Sequence, residues 1–191
     1  MEIRTYQQED ERGWLHCRVL SFLDTAYYDI VLNQKETYRN PAIELVAIED
    51  DKVIGLLDIE CEEKPMTLCT ADQTLGGMIT HLAVHPDYRR QGVGQALLLE
   101  AQNRLVKSEI TYLEAWTRDD LWVHEWYLHQ QFEKLGTYLH VYIEGSDGIA
   151  SKVDGLIPVQ TFCQYVGKDS EKIKKKYKRV HECTGFYKRI Q

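Results

Sequence analysis

The chain has 191 residues, of which 43% are hydrophobic and 28% charged, and its formal net charge is -7. A chain of this size can bury a core without disulfides or metals, and this composition excludes disordered and fibrous proteins. We therefore expect one globular domain over residues 1–191. No apolar stretch reaches the roughly 18 residues of a membrane span, so we expect no membrane association and a cytoplasmic protein.

The five cysteines are odd in number, scattered and never spaced as CxxC. This pattern is typical of reduced thiols rather than of a disulfide framework or a zinc ribbon. Two histidine pairs, His81 with His85 and His124 with His129, have no third ligand at a recognisable spacing. The sequence therefore predicts no metal site.

Positive charge is concentrated at the C-terminal end of an otherwise acidic chain. Residues 168–191 contain nine Lys and Arg against three acids, a balance of +6, which leaves -13 for the remainder. An acidic body disfavours nucleic acid and anionic membranes as partners, and the lysine run at 172–179 is the only feature that would favour nucleic acid. The negative potential either attracts a cationic substrate or serves solubility alone.

The first third of the chain predicts a strand, helical segments and a hairpin. A strand at Glu2 to Thr5 is followed by a helix with Asp10 as its N-cap. A second segment, helical or irregular, covers Tyr27 to Tyr38. Two β-rich runs within 43–60 meet at Asp50-Asp51, whose turn chemistry predicts a β-hairpin.

The rest of the chain alternates strands with helices. A loop over 61–77 leads to a strand at 78–84, which ends at His85-Pro86 because proline cannot donate to a ladder. The next elements are a helix in "GQALLLEAQNRLVK", a strand at 110–116, a helix in "DDLWVHEWYLHQQF" and a strand at 137–144. An insertion at 145–180 follows, with a lysine-rich helix near 169–179. The chain ends in a strand, "TGFYKRI". This order predicts a mixed α+β sheet with helices on both faces.

The stretch "HPDYRRQGVGQAL", residues 85 to 97, joins a strand to a helix through two arginines and two glycines. Unpaired amides and the macrodipole make a helix N-terminus favourable for anions. Glycine lets the backbone approach a phosphate, and arginine adds charged donors. We therefore expect a diphosphate here, although the stretch matches neither the Walker pattern nor the GxGxxG fingerprint.

With its flanks, "ITHLAVHPDYRRQGVGQALLLEA" resembles the acetyl-CoA motif of the GNAT N-acetyltransferase superfamily, [QR]-x-x-G-x-[GA] after a strand ending in V-x-P. The order of elements over residues 1 to 144 and the terminal strand is similar as well. The resemblance implies the GNAT acyl-CoA N-acyltransferase fold, with a central sheet of about seven strands and a splay between two parallel strands. It implies transfer of an acetyl group from acetyl-CoA to a primary amine by direct attack in a ternary complex.

Carried over to this chain, the family pattern pairs the backbone of Leu82, Ala83 and Val84 with the pantetheine arm. It assigns the pyrophosphate to Arg89, Arg90, Gln91, Gly92, Val93, Gly94 and Gln95. Tyr127 matches the family's tyrosine in its "YxKxGF" box, and a phenol can protonate the leaving thiolate. Gln131 replaces the box glycine, so the helix could run on to Gly136 as a C-cap.

The general base is not readable from the sequence. The region where some family members carry a carboxylate holds Met78 and Thr80, and the sequence does not determine which face of the sheet Glu114 and His81 occupy.

Because no base is identified, an alternative function stays open, a GNAT-like acyl-CoA-binding sensor or partner-binding module without turnover. The amine acceptor, a small molecule or a protein amine, is equally undetermined, and paired edge strands would allow a homodimer. The insertion at 145–180 could form a lid over the amine site.

Overall fold

The computed structural model describes residues 1–145 and 149–191, which form one mixed sheet with helices on both faces. The strands are β1 (Glu2–Thr5), β2 (Ala42–Glu49), β3 (Lys52–Cys61), β4 (Gly76–Val84), β5 (Tyr112–Thr117), β6 (Glu133–Glu144), β7 (Gln160–Tyr165) and β8 (Arg179–Arg189). The helices are α1 (Glu11–Phe22), α2 (Val93–Leu105), α3 (Leu121–His129) and α4 (Ser170–Lys176).

The strand order is β1-β2-β3-β4-β5-β8-β6-β7. Within the described residues every pairing is antiparallel except that of β4 with β5. The α+β architecture and the parallel central pair are as expected. The additional strand is β7, which lies inside the 145–180 insertion; residues 146–148 of that insertion are outside the described residues.

The two faces of the sheet carry different helices. Trp14 and Cys17 of α1 pack on one face against side chains such as Leu56 and Ala83. On the other face α2 and α3 share one core, which joins Leu97 to Tyr127 through the apolar residues of β2 to β5 and β8. The predicted two-sided arrangement is confirmed.

Local predictions are confirmed where turn residues set the backbone. Asp50 and Asp51 link β2 to β3 with φ of 50° and 59°, the left-handed pair that a two-residue hairpin turn requires. Asp10 stands at the N-cap of α1, but its carboxylate does not cap the helix. It accepts two hydrogen bonds from Arg4, at 2.6 and 2.7 Å.

The structure decides two open questions about helices, namely whether segment 27–38 is helical and where α3 ends. The segment 27–38 takes the irregular alternative, and its turns form no helix. The extension of α3 to Gly136 is wrong: α3 ends at His129, and Gly136 lies within β6. Gln131, which replaces the family glycine, takes the glycine-like φ of 65° itself and turns the chain into β6. The lysine-rich helix is present as the short α4.

Candidate active site

A bulge in β4 opens the centre of the sheet. Asp58 of β3 lies opposite His81, but its neighbour Ile59 lies opposite Ile79, so Thr80 is an extra residue in β4. A bulge bends its strand and increases the twist. The pairing of β4 with β5 ends at this point, with Ile79 opposite Ala115. Beyond it the two parallel strands are no longer paired, and we call the gap between their unpaired ends the wedge.

The backbone of Leu82, Ala83 and Val84 borders the wedge. All three residues pair with β3 on one edge of β4, opposite Leu57, Leu56 and Gly55, while the register with β5 has already ended. Ala83 packs on the α1 side, whereas Leu82 and Val84 pack on the α2 side. The free edge of β4 can therefore pair with an extended amide-containing chain.

The N-terminus of α2 lies at the end of β4. Gly92 is its N-cap with a φ of 82°, and the preceding Arg90 has a φ of 64°. The first hydrogen bond of the helix runs from the Ala96 amide to the Gly92 carbonyl at 2.9 Å. The amides of the three residues between them precede that bond and lie at the positive end of the helix dipole. They could therefore bind an anion; of the two glycines, Gly92 alone has the left-handed φ that favours glycine, since a Cβ on Gly94 would make ordinary contacts of 3.5 Å.

The two arginines of the turn have different surroundings. Arg89 donates a hydrogen bond to the Ser21 carbonyl at 2.8 Å, and its guanidinium carbon lies 5.2 Å from the ring centroid of Trp122. It therefore links the end of α1 to the start of α3. Arg90, like Gln91 and Gln95, is exposed at the surface beside the helix N-terminus.

Tyr127 lies buried on α3. Its ring stacks on that of Phe186 in β8, with centroids 4.9 Å apart and planes 16° from parallel, and meets Phe132 edge-on. Burial, followed by the nearby Tyr27, raises the pKa of the Tyr127 hydroxyl well above its usual value. The phenol is therefore protonated at neutral pH and is a donor rather than a base.

Glu114 is fully engaged in structure. Its buried carboxylate accepts hydrogen bonds from the amides of Thr70 and Ala71 at 2.7 and 2.9 Å, from the Thr70 hydroxyl, and from the Trp116 indole at 2.7 Å. These bonds hold the loop between β3 and β4 against β5. Removing the carboxylate would leave those donors unpaired, so the role of Glu114 is to fix the loop.

His81 points to the α1 side, just beyond the bulge, and pairs with Glu36. Its Nε2 donates to the Glu36 carboxylate at 2.5 Å, and Arg18 approaches its Nδ1 at 3.5 Å. His81 is buried, but the Glu36 side chain is 52% exposed. The hydrogen bond from His81 lowers the pKa of Glu36, so this carboxylate is ionised at neutral pH. No sequence signal singles out Glu36, because it lies in the irregular segment 27–38.

Lys35 anchors the same segment to the sheet. Its ammonium is 3.0 Å from Asp58 Oδ2 and also pairs with Glu44, and the Lys35 side chain is 4% exposed. The ammonium lies 4.9 Å from the ring centroids of Tyr6 and Tyr38 and 5.4 Å from that of Trp14. Aromatic faces and carboxylates both stabilise a desolvated cation. The adjacent Glu36 is thereby held beside His81.

Arg118, directly after β5, connects the segment that follows α1 to β6 through hydrogen bonds. Its buried guanidinium donates to the Ala26 carbonyl at 2.6 Å and to the Tyr142 hydroxyl at 2.7 Å, and its backbone amide donates to Tyr27. It also donates to His140 at 3.2 Å. Burial, with the Arg118 charge second, lowers the pKa of His140 to about 4, so that ring is neutral.

Within the described residues, no group of three or more His, Cys, Asp or Glu side chains could hold a metal ion. A search of those same residues for a helix with the length and apolar character of a membrane span finds none.

Comparison with known proteins gives a consistent picture. Residues 40–134 match a family model described as an acetyltransferase (GNAT) domain. A Yersinia pestis protein named acetyltransferase is 27% identical over 130 residues, which cover 63% of this chain and 78% of that protein. Both the wedge between β4 and β5 and the N-terminus of α2 lie within the matched residues.

Solved structures share the fold at low sequence identity. The ribosomal-protein-alanine N-acetyltransferase of Brucella melitensis superposes with a TM-score of 0.60 at 16% identity and covers 99% of both chains. A putative streptothricin acetyltransferase of Bacillus anthracis, in complex with acetyl coenzyme A, gives a TM-score of 0.50 at 13% identity over 88% of this chain and 70% of that one.

Proposed function

Because this chain belongs to the GNAT superfamily of N-acetyltransferases, we propose that it transfers the acetyl group of acetyl-CoA to a primary amine by direct attack in a ternary complex. The observation that carries the proposal is the wedge between β4 and β5 beside the N-terminus of α2. One continuous sheet spans the chain, which supports residues 1–191 as a single catalytic domain.

The donor side fits acetyl-CoA. The free edge of β4 at Leu82 to Val84 offers backbone groups to the two amides of the pantetheine arm. The turn from Arg89 to Gln95 offers early-helix amides to the diphosphate, with Arg90 at the surface as a charged donor. The fold relative from Bacillus anthracis is in complex with acetyl coenzyme A, which supports the same donor here. Acetyl-CoA would supply an activated thioester.

Tyr127 would act as the general acid. When the amine attacks the thioester carbonyl, the C–N bond forms, the C–S bond breaks and Tyr127 protonates the leaving thiolate. The acetylated nitrogen then releases its extra proton to solvent, and solvent reprotonates the phenolate. The hydroxyl is protonated at neutral pH, although burial raises its pKa and so makes it a weaker acid, and stacking on Phe186 fixes the ring.

Tyr127→Phe should lower kcat by about 100-fold or more, the usual size of a general-acid contribution, with little change in the Kd for coenzyme A. Stopped-time thiol release gives kcat, and calorimetry gives the Kd. Tyr187→Phe, on β8 opposite Glu114 and with its ring against that of Tyr112, serves as a matched control and should keep wild-type turnover. Unchanged kcat in Tyr127→Phe would remove this residue from the mechanism.

The acceptor amine would enter on the α1 side, where Glu36 presents an ionised and half-exposed carboxylate beside the bulge. An ammonium or amine hydrogen-bonded to Glu36 would lie near the unpaired edge of β4. His81 would position the carboxylate, because its Nε2–H is directed at it. The acceptor would then be an amine, of a small molecule or of a protein, that can approach the Glu36 carboxylate from solvent.

Glu36→Gln should lower kcat/KM for the amine by about 10- to 100-fold, the worth of one charged hydrogen bond, while the Kd for coenzyme A stays the same. Steady-state kinetics with varied amine checks this. Glu63→Gln, an exposed glutamate in the β3–β4 loop, is the control. An equal loss in both variants, or none in Glu36→Gln, would contradict the placement of the amine.

The alternative without turnover is favoured by one observation. Glu114 is saturated with hydrogen bonds, and both ring nitrogens of His81 face partners, so neither is a free base. Incubation with acetyl-CoA and a broad amine library, read by mass spectrometry, separates the two functions. Acetylated product supports the transferase, whereas coenzyme A binding with no product for any amine supports a sensor.

A further inference from the structure

A chain of three hydrogen-bonding groups leads inward from the bulge in β4. The Thr80 hydroxyl donates to the Tyr38 hydroxyl at 3.0 Å, and the Tyr38 hydroxyl donates to Asp58 Oδ2 at 2.9 Å. Thr80 is the extra residue of β4, directly after the last pair with β5. Thr80 and Tyr38 are partly exposed, whereas Asp58 has no exposed surface. The chain therefore connects the start of the wedge to a carboxylate in the interior.

The buried end of this chain fixes the direction of its hydrogen bonds. An ionised carboxylate can only accept, so Tyr38 donates to Asp58 and its oxygen is left to accept from Thr80. The single hydrogen of the Thr80 hydroxyl is used in that bond, and its oxygen can still accept a hydrogen bond. The outer end of the chain is therefore an acceptor for an N–H group that enters the wedge.

Asp58 has the properties of a proton acceptor. Burial raises the pKa of its carboxyl, and the Lys35 ammonium, 3.0 Å from Oδ2, opposes that shift. A carboxylate with a raised pKa is a stronger base than one at the surface. Its Oδ1 is buried and has no hydrogen-bond partner among the described residues. Lys35 also pairs with Glu44, so the ammonium keeps a carboxylate partner when Asp58 takes up a proton.

Other titratable groups surround Asp58 on every packed element. They are Lys35, Glu36 and Tyr38 of segment 27–38, Tyr6 after β1, Arg18 of α1, Glu44 of β2 and His81 of β4. His81 lies opposite Asp58 in the sheet but donates to Glu36. Within the described part of the chain, Tyr38 is thus the titratable group that links Asp58 to the bulge by hydrogen bonds.

We propose that Thr80, Tyr38 and Asp58 form a relay that takes the proton from the acceptor nitrogen, a role that rests on the acetyl transfer proposed above. Once the C–N bond has formed, the positively charged nitrogen gives a proton to Thr80 Oγ1. Thr80 passes its own proton to Tyr38 Oη, and Tyr38 passes its own to Asp58 Oδ2. An N–H bond is broken, an O–H bond is formed on Asp58, and both charges are neutralised.

The relay is the route by which this proton reaches solvent. After the product leaves, the proton returns from Asp58 through Tyr38 and Thr80 to water, and the hydrogen bonds regain their inward direction. Solvent also supplies the proton that Tyr127 regains. Thr80 alone would contact the amine, and Tyr38 and Asp58 act through it.

Tyr38→Phe should lower kcat by about 100-fold or more, the usual size of a general-base contribution, with an unchanged Kd for coenzyme A. The ring stays in place, and the Thr80 hydroxyl can donate instead to the Asp58 carbonyl, 3.2 Å away, so the fold should be retained. Tyr6→Phe is the matched control, because both rings lie 4.9 Å from the Lys35 ammonium. It should turn over like the wild type, and circular dichroism verifies that both variants are folded.

Added base distinguishes a relay from a structural role of Tyr38. In Tyr38→Phe the nitrogen has to lose its proton directly to solvent, so imidazole at fixed pH and ionic strength should raise kcat by about fivefold or more, whereas the wild type should not respond. The wild-type kcat should also fall as the pH is lowered through the raised pKa of Asp58, because a protonated carboxyl accepts no proton. This acid limb should be absent from Tyr38→Phe.

Two variants of Thr80 test the outer end of the relay. Thr80→Val keeps the shape without the hydroxyl and should lose as much kcat as Tyr38→Phe, whereas Thr80→Ser keeps the hydroxyl and should retain about half of it or more. Wild-type turnover with an unchanged kcat in Tyr38→Phe, or a loss there that imidazole does not relieve, overturns the relay and leaves the transferase intact. No acetylated product from the wild type with any amine overturns both.

Discussion

Replacing Gly92 by glutamate should abolish coenzyme A binding, with a Kd at least 100-fold weaker in calorimetry. Gly92 is the N-cap of α2 with a φ of 82°, and a Cβ there would meet nothing within 4 Å, so the side chain has room in the fold. The left-handed backbone costs about 1–2 kcal/mol for a non-glycine residue. The new carboxylate would compete with the diphosphate for the first-turn amides, where an anion is favoured.

Gly155→Glu is the matched control for this experiment. Gly155 also has a positive φ, 75°, and open space around its Cβ position, but it lies in the loop before β7. It carries the same backbone strain and the same added charge away from α2. Coenzyme A should bind this variant as it binds the wild type. Undiminished binding in Gly92→Glu would remove the α2 N-terminus as the diphosphate site.

Replacing Lys35 by methionine should lower the free energy of unfolding by about 3–5 kcal/mol, the usual loss when one partner of a buried ion pair is removed. Asp58 has no exposed surface, and its Oδ1 already has no hydrogen-bond partner among the described residues. Without the Lys35 ammonium, Asp58 keeps a hydrogen bond from Tyr38 at 2.9 Å but loses the ion pair that the structure gives it. For a chain of this length the midpoint of thermal unfolding should fall by roughly 6–20 °C.

The pH dependence distinguishes a buried charge from lost packing. Burial raises the pKa of Asp58, and Lys35 opposes that shift, so in the variant the folded-state pKa lies further above the unfolded value. The folded variant then binds the Asp58 proton more tightly than the unfolded chain, and its deficit in stability should shrink as the pH falls from 7 towards 5.

Asp58→Asn in the Lys35→Met background should restore part of the stability at pH 7, since a neutral amide replaces the unpaired carboxylate. Denaturant melts of the single and double variants, at both pH values, measure these differences. A loss below 1 kcal/mol in Lys35→Met, or a deficit independent of pH, would contradict the ion-pair interpretation.

The parts of the structure that were predictable from sequence depend on near neighbours in the chain. The hairpin at Asp50-Asp51 follows from two residues that tolerate a left-handed backbone, and the end of β4 follows from Pro86. The glycine pattern at 92–94 likewise identified the N-terminus of α2. Each is a local conformational preference, which a short window of sequence contains in full.

The candidate site was only half predictable. The proposed donor side lies on one continuous stretch, from β4 through the turn into α2, so its motif is visible in the sequence. The proposed acceptor side depends on residues far apart: Glu36 meets His81 across 45 positions. Glu114, a plausible base by position alone, is bound to Thr70 and Ala71. Nothing in the neighbouring residues distinguishes a carboxylate that faces solvent from one that is saturated.

The sequence by itself determined the strand-turn-helix that would bind the donor, because backbone conformation there is set by glycine, proline and short-range periodicity. Only the tertiary structure decided that Thr80 bulges, that the pairing of β4 with β5 stops short of their ends, that Lys35 fixes segment 27–38 and that β7 forms an open edge. These features depend on which distant strands and side chains pair. That pairing is fixed by burial and hydrogen bonding across the whole sheet, and no local window of sequence contains it.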